Sequence, residues 1–481
     1  MRQLMLLRIL VLLLGIVALF MVPALGLAIA GGDLPMVKAF ALPMGIALIL
    51  AAPAAVFTRK FPSRLSARDG FLLVFLIWVF SSLMGALPYY LSGQGITFTD
   101  AVFESTCGFA TTGATTINDV EVLPQPLLLW RSMTHWFGGM GIVMLTVALV
   151  PLLGVGGFQL LKAETPGPEK EKITPKVTAT AKILWLVYMV LTAVLTVLFA
   201  LGGMEWFDAL CHAFTTMASG GISTKNSGIA YYDSTFIETV CVLFMLLAGL
   251  NFNLYYKLFK GKFREIRENT EGRVYLFIFL AATVILTVSL VPVYGSAGSA
   301  LRYGAYQAAS ILTTTGSSTA DYMQWPGLAK GILLCLMFVG GCSGSTAGGI
   351  KVIRHAVLFK QAGNELRRII YPRGIFSITL NKKVGRRDVV YGVAGFFFLY
   401  MAVIAVTALI VAASGTDVVS SFSAALAMVS NVGLGFGTVG PGQTYAAFPN
   451  HIKWLFSFVM IAGRLELWTV FVLFTPEYWR R

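Results

Sequence analysis

The sequence predicts an all-α polytopic membrane protein: two leading transmembrane helices, then four copies of a unit in which a helix, a short pore helix, a glycine turn and a second helix surround a central pore. Three observations carry this reading. The chain is 57% hydrophobic with only 12% charged residues, about half the charge of an ordinary soluble domain. Apolar stretches of about 20 residues, long enough to span a bilayer as helices, recur along its length. Four similar heptapeptides stand at like positions among those stretches.

The spans fall at 4 to 30, 36 to 58, 70 to 91, 127 to 153, 179 to 202, 235 to 258, 273 to 295, 327 to 350, 389 to 413 and 453 to 475. The first is longer than a signal-peptide core and a second follows it, so it reads as a retained helix rather than a cleaved leader. With the N-terminus in the cytoplasm, the inside segments are residues 1 to 8, 59 to 69, 158 to 182, 257 to 273, 351 to 388 and the C-terminus. Together they hold 29 of the 36 Lys and Arg residues, the bias that orients membrane helices. The net charge of +14 therefore reads as topology and contact with membrane lipid, with no nucleic-acid partner. The segments assigned outside carry more acids than bases, which enriches cations at any outer pore mouth.

Enzyme chemistry finds no footing. Cys107, Cys211, Cys241, Cys335 and Cys342 form no Cys-x-x-Cys pair and read as small apolar fillers, without a disulfide frame or zinc site. His135, His212, His355 and His451 are scattered, and no His-Glu-x-x-His helix is present. No cofactor is implied.

Aligned on one glycine, the heptapeptides are "ATTGATT" around Gly113, "ASGGIST" around Gly221, "TTTGSST" around Gly316 and "SNVGLGF" around Gly433. Asp100 and Asp208 each precede their glycine by 13 residues. The repeat divides the chain into two leading helices, 1–66, and four pore repeats, 67–160, 176–260, 270–360 and 386–481. Before each glycine lies a stretch too short to cross a membrane, at 99 to 109, 206 to 217, 302 to 312 and 417 to 429, which suits a re-entrant helix. Entering from outside, such a helix turns its partly negative C-terminus toward mid-membrane, where it attracts a cation. The backbone then turns back, and irregular backbone at that depth is tolerated where it is buried or lines a water-filled cavity. Close packing between helices also uses such small residues; four copies at like positions favour a ring of carbonyls that replaces the water around a permeating ion. The candidate filter residues are Thr111, Thr112 and Gly113; Ser219, Gly220 and Gly221; Thr314, Thr315 and Gly316; and Asn431, Val432 and Gly433.

Two further features lie inside the membrane. The eighth span runs into "GGCSGSTAGG", residues 340 to 349, whose glycines each cost about 1 kcal/mol in a helix and should break it. A loop there, with Gly340, Gly341, Ser343, Gly344, Ser345, Thr346, Gly348 and Gly349, would cross the pore beneath the ring as a movable gate, unless the glycines serve helix packing. Arg464 falls in the middle of the last span, where a charge needs a pore or a partner; it would either form a positive barrier in the cation path or hold the loop through its carbonyls. Glu466 is a poor partner for it, because residues two apart on a helix do not face each other. Lys225, just after the second glycine segment, reads as a solvated residue at the outer mouth.

The ending "GRLELWTVFVLFTPEYWR", together with "TTGATT" and "GGCSGSTAGGIK", resembles the superfamily of Trk, Ktr and HKT potassium transporters, and within it the bacterial Trk-type uptake subunits. The resemblance covers essentially the whole chain. It implies a channel-like transporter for potassium uptake across the bacterial inner membrane, with potassium as substrate at the filter carbonyls. By that likeness Gly113 in the first segment favours potassium over sodium, the Gly-rich loop is the gate and Arg464 is the arginine beside it. It further implies a homodimer and a cytosolic nucleotide-binding regulatory subunit of the TrkA kind. The fourth segment, with Asn431 and Val432, departs from the "TTG" of the first, so the ring is only roughly four-fold. The rival within transport is symport coupled to protons or sodium, against which stands the scarcity of acids in the spans.

Overall fold

A computed structural model describes residues 2–57, 66–141, 177–381, 383–384 and 387–480. The later part of the 127 to 153 span and most of the 158 to 182 segment lie outside the described residues, as do parts of the 59 to 69 and 351 to 388 segments. The leading span is two helices, Arg2–Leu19 and Val22–Ala30, and Leu34–Phe57 returns beside it. The four units then follow in chain order. Their first helices are Ala67–Leu91, Val177–Leu201, Thr270–Tyr294 and Arg387–Ala413. Their short helices are Phe98–Ala110, Trp206–Met217, Ala297–Leu312 and Val418–Val429, within a residue of the expected stretches except that the third begins five residues earlier.

Burial sorts the two kinds of helix. Residues Ala101 to Ala110 are buried without interruption, whereas Phe277, Val288, Phe398 and Leu409 on the long helices are at least 70% exposed. Apolar side chains exposed in a ring and small residues inside are what a protein dissolved in lipid requires. Each short helix packs on the first helix of its own unit. The helix that closes a unit also packs on the next short helix: Gln125–Gly139 on Trp206–Met217, Thr235–Gly249 on Ala297–Leu312, and Asn450–Arg464 back on Phe98–Ala110. Between the third and fourth units, Tyr322 donates its hydroxyl to the Gly435 carbonyl at 2.7 Å. The units therefore close a circle.

The closing helices correct the sequence reading. The expected continuous span at 235 to 258 is Thr235–Gly249 and Phe252–Phe259, bent by 92°, and that at 453 to 475 is Asn450–Arg464 and Leu467–Phe474, bent by 113°. The third closing helix is not corrected in this way: it runs over Gly327–Met337, stops short of the Gly-rich stretch expected to break it, and helix resumes at Val352–Ile370. Asn251 caps the outgoing helix of its bend, accepting from Asn253 N at 2.9 Å; Glu466 takes a left-handed conformation, φ 63°. Apolar composition carries no record of either turn. Six described helices are long and apolar enough to cross a bilayer, or eight with each bent pair counted as one. A two-stranded hairpin, Thr379–Leu380 with Lys383–Val384, is a small addition to the all-α plan.

Candidate functional site

The four short helices end in one shared conformation. Two residues before each glycine, Thr111, Ser219, Thr314 and Asn431 have φ of 52°, 55°, 55° and 56°. The N–H one residue before each glycine reaches back to the helix: Thr112 to Cys107 O at 3.0 Å, Gly220 to Thr215 O at 2.8 Å, Thr315 to Ser310 O at 2.8 Å and Val432 to Ala427 O at 2.9 Å. This is the left-handed helix terminus usually given to glycine. Non-glycine residues there cost roughly 1–3 kcal/mol each and persist only where the surroundings hold them. The glycines follow, also left-handed, at φ 80°, 62°, 71° and 81°.

These segments meet in a closed order. A Cβ on Gly113 would stand 2.5 Å from the Gly220 carbonyl oxygen, and one on Gly221 would overlap that of Thr315. One on Gly316 would overlap the Val432 oxygen, and one on Gly433 the Thr112 oxygen. Each glycine thus faces the carbonyl that precedes the glycine of the next unit, and the fourth returns to the first. The structure brings Thr112 and Gly113, Gly220 and Gly221, Thr315 and Gly316, and Val432 and Gly433 into this ring, while Thr111, Ser219, Thr314 and Asn431 form the left-handed turns that lead into it. The Gly433 carbonyl is also engaged by the Tyr445 hydroxyl at 2.8 Å. On the side where the chains leave the glycines, all four line a vestibule of about 200 Å3. Lys225 reaches this vestibule, but paired rather than freely solvated: its ammonium lies 3.5 Å from Asp208 and 4.8 Å from the centre of the Tyr231 ring. At the rim, the Asn226 amide donates to Asp119 at 2.8 Å and holds that carboxyl below the usual carboxylate range.

Sequence reasoning missed the clasps behind the ring. Glu104, nine residues before Gly113, accepts from Thr116 N at 2.6 Å and Thr115 Oγ1 at 2.7 Å. Its other oxygen pairs with Arg131 at 3.1 Å, both side chains at most 4% exposed. Arg131 also donates to Ser223 O at 3.1 Å, so one ion pair joins the first and second units. At the matching position of the second unit, His212 Nε2 meets Ser223 Oγ at 2.8 Å. In the fourth, one residue earlier in register, Phe436 N donates to Ser423 Oγ at 2.9 Å. The available signal was a carboxylate inside an otherwise apolar stretch, which in a membrane calls for a named partner. Removing one member of such a buried pair costs about 3–5 kcal/mol. Glu104→Ala should therefore lower the thermal midpoint of the purified protein sharply, and adding Arg131→Ala should recover part of the loss; equal midpoints for wild type and the single variant would refute the clasp.

On the opposite side of the ring lies the Gly-rich loop, between Met337 and Val352. Gly340, Gly344 and Gly349 have positive φ, and the helix ends three residues before the first of them. The loop touches three of the four segments from below. Thr346 Oγ1 meets Ser219 Oγ at 2.8 Å, Gly348 N donates to Thr314 Oγ1 at 2.6 Å, and a Cβ on Gly348 would overlap the Ser430 carbonyl. Cys342 N donates to Gly249 O at 2.9 Å, beside the bend of the second unit. Of the other named loop residues, Gly341 accepts from Val352 N at 3.0 Å, the Ser345 hydroxyl donates to Cys342 O at 2.6 Å, and the Ser343 N–H is bound from outside the loop.

Arg464 is not at the centre of a straight helix but at the end of one, where the chain bends. Its guanidinium donates to Thr346 O at 2.6 Å and to Gly138 O and Gly139 O at 2.6 and 2.8 Å. It ties the loop to the end of the first unit's closing helix. Glu466 pairs with Arg354 instead, in keeping with its poor position for Arg464. Among the described residues no group of three or more His, Cys, Asp or Glu side chains could hold a metal ion; the ring presents carbonyls.

Fold and site together define a polytopic membrane protein with one pseudo-four-fold ring of backbone carbonyls, vestibuled on one side and covered by a loop on the other. Residues 38–481 match the family model of the TrkH cation transport proteins, and the chain belongs to that family. It is 41% identical over 427 residues to the Trk system potassium uptake protein TrkH of Salmonella typhimurium, covering 88% of each chain. It is 40% identical to TrkH of Escherichia coli K12, over 92% of each, and 36% identical to TrkG of that strain, over 88% of each. The crystal structure of the potassium transporter TrkH from Vibrio parahaemolyticus superposes with a TM-score of 0.89 at 35% identity, over 100% of both chains. The resemblance carried by the ending, the first glycine segment and the Gly-rich loop is thereby borne out.

Proposed function

We propose that this protein takes up potassium across the bacterial inner membrane by a channel-like route, with residues 111–113, 219–221, 314–316 and 431–433 as the selectivity filter. The closed order of four glycines, each against its neighbour's carbonyl, is the observation that carries the proposal. Such a ring supplies oxygens in place of the hydration shell, offsetting the large cost of burying a bare cation. Loop residues 340–349 act as the gate, and Arg464 holds them closed beneath the filter. The termini face the cytoplasm, and the chain divides at the repeat boundaries 67–160, 176–260, 270–360 and 386–481 after the leading 1–66. A homodimer and a cytosolic nucleotide-binding subunit of the TrkA kind follow from the family likeness. Coupled symport draws no specific support from the site, whose ring is built of neutral carbonyls.

The test is rubidium uptake into potassium-loaded liposomes bearing the purified protein. External potassium should block uptake at concentrations at which sodium or lithium does not. Absent flux, or equal block by all three ions, would refute the filter.

A further inference from the structure

Glu271 lies in the first turn of Thr270–Tyr294 and is 5% exposed. One of its oxygens accepts two backbone N–H groups, from Ser343 at 2.6 Å and from Ile353 at 3.3 Å. Ser343 belongs to the Gly-rich loop; Ile353 is the second residue of the helix Val352–Ile370. The first N–H groups of a helix have no partner within it and favour an anion. Lys351, at the N-cap, provides no side-chain cap there, and its ammonium turns back to Ala347 O. The cap comes instead from Glu271, in a different helix, through the same oxygen that binds the loop.

We infer that Glu271 is a positioning residue, a latch that makes the loop and the helix Val352–Ile370 move as one body. This rests on reading the loop as a gate. The glycines at positive φ allow the loop to swing, and nothing in their conformation sets when it does so. Because a single oxygen holds both N–H groups, displacement of Ile353 weakens the hold on Ser343. A shift of the helix is then felt at the loop without passing through the filter.

Cys342, next to Ser343, is fully buried and reports on the loop. Cys107, Cys211 and Cys241 are also buried and Cys335 is exposed, so a Cys335→Ser background isolates it. In proteoliposomes of the full chain, we would measure modification of Cys342 by a charged thiosulfonate together with rubidium uptake. A hydrogen bond to a charged group is worth roughly tenfold or more in an equilibrium. Glu271→Ala should raise both rates about tenfold, and Glu271→Gln, which keeps an acceptor oxygen without the charge, should raise both by a smaller factor. Potassium should still block better than sodium in both variants, which a general loss of structure would not preserve.

Wild-type rates in both variants, while Arg464→Ala raises labelling and flux, would overturn the latch and leave the gate standing. Wild-type rates in all three would remove the gate as well. Faster flux with lost ion preference would mark disruption of the filter and also overturn the latch. Should the alanine variant fail to fold, the glutamine variant decides: rates above wild type support the latch, and wild-type rates refute it.

Discussion

Gly316→Ser lowers potassium-preferring rubidium uptake by about two orders of magnitude, the scale at which a displacement of about 1 Å costs function when geometry is the mechanism. The new Cβ would overlap the Val432 carbonyl oxygen, a rigid backbone atom of the neighbouring segment and one of the proposed ligands. The residue must also hold φ 71°, which an L side chain adopts at a cost of roughly 1–2 kcal/mol. Either relief, moving the serine or moving Val432, shifts a ring oxygen. Gly433→Ala should behave alike, because its Cβ would overlap the Thr112 oxygen. Gly331→Ala is the control: nothing lies within 4 Å of its Cβ position, and uptake should match wild type. Unaltered uptake and ion preference in Gly316→Ser would mean that permeation does not run through this ring.

Arg464→Ala raises rubidium uptake about tenfold with ion preference intact, since hydrogen bonds to a charged group are worth about 1.5–3 kcal/mol each. Its loss frees Thr346 O from the carbonyls at Gly138 and Gly139. A bare positive barrier at the same place would give the same direction, so Arg464→Lys separates the two. Lysine restores a charge but not the planar fork that joins three carbonyls. If Arg464 acts by holding the loop, uptake in the lysine variant stays raised; a return to wild-type flux would assign the effect to charge alone.

Much of this arrangement could be read from residues. Repetition located the four glycines, and the boundaries of the short helices followed from where apolar stretches were too short to span. The breaks in the closing helices were hidden because each lies within a run apolar enough overall to read as one span; each turn depends on Asn251 or Glu466 and on what the outgoing chain packs against. The Gly-rich loop was the exception, since its composition signals the break directly. Glu104 and Arg131 lie 27 residues apart, and no sequence period brings them together. Glu271 falls in the basic segment 257 to 273, where nothing in the sequence marks it out, although it is buried against the loop. Ser219, Thr314 and their equivalents were assigned for their carbonyls, and the left-handed turn they share was not anticipated because serine and threonine seldom take it, Asn431 being the one residue type among the four that does so readily.

The closed order of the four segments has a genetic consequence. In a pore assembled from four identical subunits, one codon change alters every wall at once, and mixed assemblies are needed to see a partial lesion. In the pore proposed here each wall has its own codons, so Thr112, Gly220, Thr315 and Val432 can drift separately. One substitution is a one-in-four dose, and a series of single, double, triple and quadruple replacements measures how many intact walls ion discrimination needs.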